Sequence, residues 1–159
     1  MIRAAFEHPT QAIASAFLRA VADDDPRAVW ERLSRETRGL LEGLRAARSG
    51  LALHEAAAGD DETLREVVSP LRSAALRTLG GEARVLAFGV SGARVVDRQT
   101  AYVLLLPDVE KEGILSEGDW RPSHLIAFVH ESREWLVDLG RTSALSAEAG
   151  LPDSLGIVR

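Results

Sequence analysis

The chain contains no cysteine. Disulfides, thiolate metal ligands and cysteine nucleophiles are therefore excluded, and the redox compartment is not legible from this sequence. Lysine is almost as scarce, with Lys111 alone among 19 cationic residues, and 24 acidic residues bring the formal net charge to −5. A basic face able to neutralise phosphates is missing, so nucleic acid is not an expected partner. Aromatics make up only 5% of the chain, with one tyrosine, Tyr102, and three tryptophans, Trp30, Trp120 and Trp135. No window approaches the roughly 18 apolar residues of a membrane span, and residues 1–9 lack an apolar run of signal-peptide length. The expectation is a cytoplasmic protein without membrane contact.

What is present suits one globular domain over residues 1–159. The hydrophobic fraction is 46% and the charged fraction 27%. That balance supports a buried core and fits neither disorder nor a membrane. The excess of arginine over lysine, with abundant alanine, leucine and glycine, reads as the codon bias of a GC-rich bacterial genome.

The first half has helical periodicity. Ile13, Phe17, Ala20 and Val21 recur at helical spacing over residues 10–22. Asp25 and Pro26 suit the cap and first turn of a second helix carrying Val29, Trp30 and Leu33. Ser34 starts a third with Leu40, Leu41 and Leu44, weakened by Gly39 and Gly43. Residues 49–59 read as a loop or frayed turn. Residues 60–79 form a helix stopped by Gly80-Gly81, with Pro70 as a kink or break. After Gly81 the period becomes two, and strands are expected at 83–90, 93–97 continuing through 100–106, 123–130 and 134–139. Ser91-Gly92 and Glu131-Ser132-Arg133 read as hairpin turns, residues 107–122 as a long polar excursion, and residues 142–159 as an irregular tail. Strands joined by links this short are antiparallel. The expected class is α+β, with N-terminal helices packed on a curved C-terminal antiparallel sheet to form a cone.

Residues 12–33, reading AIASAFLRAVADDDPRAVWERL, resemble the opening helix and helical turn of the nuclear transport factor 2-like superfamily, and Glu134-Trp135-Leu136-Val137-Asp138-Leu139 resembles its last strand. The likeness covers most of residues 10–140. It implies a cystatin-like cone of the kind shared by ketosteroid isomerases, polyketide cyclases, dehydratases and many bacterial proteins. The helical region at 34–79 is longer than compact members need, and their catalytic residues do not map onto this chain one by one. Fold alone does not carry an activity over.

In such a cone, polar residues on inward strand positions face the interior, which singles out Arg84, Asp97, Tyr102, His124, His130 and Asp138. Asp138 with Tyr102 forms the candidate catalytic pair, a general base beside an oxyanion donor, as in the isomerase members. The competing reading puts Asp138 on the solvent face, because Trp135, Val137 and Leu139 alternate with it. His124 is the third catalytic candidate. It shares a face with His130 but stands roughly 20 Å from it, too far to share a metal, so no metal is expected. Trp120 in the polar excursion is a candidate lid or dimer contact, and with Trp30 and Arg84 it completes the candidate ligand-binding set. No cofactor motif is present. Two function classes remain open: a protein that binds an apolar small molecule or a protein partner, homodimerisation included, and an acid/base enzyme acting on a cyclic or polyketide-like substrate.

Overall fold

The computed structural model describes residues 8–107 and 122–157. The architecture is α+β, with helices first and a curled antiparallel half-barrel sheet after them, arranged as a cone. Helix α1 (Pro9–Ala22) leads through Asp23 and Asp24 into α2 (Pro26–Glu31), and α3 (Arg35–Ser49) follows. The caps are those expected: Asp25 accepts from the Ala28 N–H, and Ser34 from the Thr37 N–H. A single turn, α4 (Leu53–Ala56), stands in the stretch read as a loop or frayed turn. Helix α5 (Asp61–Leu79) begins at the Asp60 cap and ends where Gly80 enters the left-handed region. Pro70 neither stops nor splits it. Its buried face runs through the proline from Leu64, Val67 and Val68 to Leu71, Ala74 and Ala75, and burial of that face outweighs one missing backbone hydrogen bond.

Residues 83–90 correct the strand expectation. Helix α6 (Glu82–Ala87) occupies most of them, and only β1 (Gly89–Val90) is strand. Glu, Ala, Arg and Leu are good helix formers, and a lone buried Val85 satisfies one helical turn packed on α1 as well as it would a strand. Arg84 consequently lies on the solvent side of α6 and holds no inward strand position.

Strands β2 (Arg94–Val95), β3 (Thr100–Leu106), β4 (His124–Glu131) and β5 (Glu134–Val137) complete the sheet. Both β1 and β2 pair with β3, which pairs with β4, which pairs with β5. The segment Ser91-Gly92 is therefore a bulge within one edge and not a hairpin. Gly89 and Val90 oppose Leu106 and Leu105, whereas Arg94 and Val95 oppose Tyr102 and Ala101, so three residues span the place of two. The Ser91 hydroxyl accepts from the Leu104 N–H at 2.8 Å where the ladder is interrupted. Reversal comes at Asp97 to Gln99, closed by the Gln99 N–H donating to the Asp97 carboxylate at 2.8 Å. The turn at Ser132-Arg133 forms as expected, with φ of 51° and 66°.

Register assigns Ala101, Val103, Leu105, Ile126, Phe128 and Val137 to the inner face, where they meet Phe17 and Val21 of α1 and Leu71 and Leu79 of α5. These side chains fill the space between sheet and helices. Backbone pairing of Val137 with Arg32 and Ser34 covers the outer edge of β5.

The tail expected to be irregular forms helix α7 (Leu139–Ala149). Asp138 caps it, and Gly150, at a φ of 71°, is its C-terminal stop. Beyond it Leu155 enters the main core, and the Ser154 hydroxyl donates to the Leu125 carbonyl at 2.6 Å. The segment thus closes the end of the cone where β4 begins. No described helix is long and apolar enough to cross a membrane.

Candidate functional site

Asp138 is 2% exposed, which overturns the expectation of a solvent-facing aspartate. One carboxylate oxygen caps α7 by accepting from the Arg141 N–H at 2.8 Å, and the other accepts from the Ser34 hydroxyl at 2.8 Å. Ser34 is itself the N-cap of α3. Thr37 extends the network: its N–H donates to Ser34 Oγ, and its own Oγ1 lies 2.9 Å from Ser34 Oγ and accepts from the Leu139 N–H at 2.9 Å. The Arg141 guanidinium stands 3.5 Å from the same carboxylate and donates to Thr100 Oγ1 at 3.0 Å. Two helix N-termini thus converge on one buried carboxylate, each supplying donors and the positive end of a dipole.

Tyr102 lies on the same outer face, opposite Ala127, whose carbonyl accepts from the Asp138 N–H. The two candidates therefore flank Ala127 at two strand spacings, roughly 10 Å. The Asp138 carboxylate is turned to Ser34 and Arg141, and no hydrogen bond joins it to Tyr102 among the described residues. His124, opposite Leu105, belongs to the inner face. Its Nδ1 lies 2.9 Å from Ser123 Oγ, its ring meets Phe88 edge-on at 5.9 Å, and burial lowers its pKa. The three candidate catalytic residues do not converge.

Of the candidate ligand residues, Trp30 is half-buried on α2 beneath the Arg38 guanidinium, 5.4 Å from the ring centre. Arg84 is exposed on α6. Trp120 lies outside the described residues.

A different group of residues gathers at the opposite end of the cone, where β4 and β5 meet at their hairpin. Trp135 is held between two imidazoles, with the His8 ring edge-on and the His130 ring tilted, each 4.9 Å from the indole. His8 also caps α1: its Nδ1 accepts from the Thr10 N–H at 3.4 Å and lies 2.9 Å from Thr10 Oγ1. Burial, and secondarily the neighbouring His130, lower the His8 pKa. Beside this stack a hollow of about 280 Å³ is bounded by Pro9 and Ile13 of α1, Glu31 and Arg32 of α2 and its end, and Trp135 and Leu136 of β5. A second cleft, of about 230 Å³, separates α2 from α5. There Asp24 pairs with both Arg65 and Arg72, so its principal charges are internally matched.

The helix spacing disclosed Ser34 as a cap, but nothing in the sequence linked it to Asp138. His8 and Arg32 carried no spacing signal at all, because neither belongs to a periodic set of polar residues. Comparison with protein-family models, with curated proteins and with solved structures finds no match to this chain.

Proposed function

We propose that this chain is a non-catalytic binding protein of the nuclear transport factor 2-like type, which takes an apolar small molecule or an apolar protein surface at or around its cone. The observation that carries this reading is the full engagement of Asp138. Each of its carboxylate oxygens already accepts a hydrogen bond, Oδ1 from the Arg141 N–H that it caps at the start of α7 and Oδ2 from the hydroxyl of Ser34, the N-cap of α3. Action as a general base would require it to abandon one or both of those contacts. Protein contact, including self-association, is favoured by large apolar side chains standing in solvent, among them Leu53 at 70% and Val95 at 61% exposure.

Native mass spectrometry of the protein purified from its own host tests the reading. A retained small-molecule mass, a homodimer or a stoichiometric partner is the expected result. Turnover of a cyclic or polyketide-like substrate that Asp138→Asn abolishes without unfolding the chain would replace it with the enzyme reading.

A further inference from the structure

We draw no further inference here: the strongest candidate, the outer face of β3 where Tyr102, Leu104 and Leu106 are only half-buried beside the exposed Val96, is an apolar sheet face, and nothing among the described residues shows what covers it.

Discussion

The Ser34 hydroxyl and the Asp138 carboxylate are joined by a 2.8 Å hydrogen bond across 104 residues of chain, and each residue is the N-cap of its own helix. Through this contact the start of α3 and the start of α7 are fixed to one another at the end of β5. Replacing Asp138 by alanine removes a cap and leaves the Ser34 hydroxyl buried with one partner fewer. The two losses together are expected to destabilise the chain by about 2–4 kcal/mol. Asn at the same position still caps and should cost roughly half as much. Urea unfolding followed by circular dichroism measures both, and a double cycle with Ser34→Ala should show coupling of at least about 0.5 kcal/mol. Additive losses would mean that the two caps act independently.

Leu155 provides the second prediction. It is fully buried in the main core although it lies near the end of the chain, and the neighbouring Ser154 is bonded to β4. Leu155→Ala is expected to cost about 2–4 kcal/mol, the usual range for a buried leucine, whereas the same change at the exposed Leu53 should fall within about 0.5 kcal/mol. Chemical denaturation of the two variants side by side gives the comparison. Equal effects would show that the tail does not close the cone in solution.

At the β4–β5 hairpin, Ser132 and Arg133 both adopt positive φ, the geometry of a type I′ turn, in residues poorly suited to it. Changing them together to Asn-Gly should stabilise the protein by about 0.5–1 kcal/mol. Thermal melting is the measurement. A lower melting temperature would indicate that the Arg133 side chain contributes more than its backbone strain removes.

Acid should weaken the fold through His8. Burial, followed by the nearby charge of His130, holds its imidazole below the ordinary histidine value, and His124 is lowered by burial alone. A histidine whose pKa is lower folded than unfolded takes up its proton more readily in the unfolded chain. Stability is therefore complete above the unfolded value of about 6.5 and declines as the pH falls from there through the lowered folded value. Protonation of Nδ1 also removes the acceptor that caps α1 and places a cation at the positive end of that helix. His8→Asn, which keeps a capping side chain and does not titrate, should flatten part of that decline in urea midpoints recorded from pH 8 to pH 5. An unchanged profile would assign the whole effect elsewhere.

Much of the helical half was legible because its signals are local. Asp25 with Pro26, Ser34 and Gly80 mark helix ends by side-chain reach and backbone freedom, and all three act where expected, while of the adjacent Asp60 and Asp61, either able to cap, Asp60 is the one that does. The misreadings arose where two structures suit the same local pattern. Residues 83–87 carry one core side chain, Val85, which a helical turn or a strand buries equally well, and packing on α1 selects the helix. Ser91-Gly92 has turn chemistry, yet a bulge uses the same residues without reversing the chain. Gly150 looked like the mark of an irregular tail and is the stop of α7.

By itself the sequence determined the class of the fold, the absence of thiol chemistry, and the positions of most helix caps, because composition, periodicity and caps depend on neighbours within a few residues. Only the tertiary structure decided that Asp138 is a buried tie between two helices, that Leu155 closes one end of the cone, and that Arg32 and Trp135 border one hollow at the other. Each of those relationships joins residues distant in the chain, and burial, which fixes the worth of a charge or a hydroxyl, is a property of the assembled layers and of no local stretch.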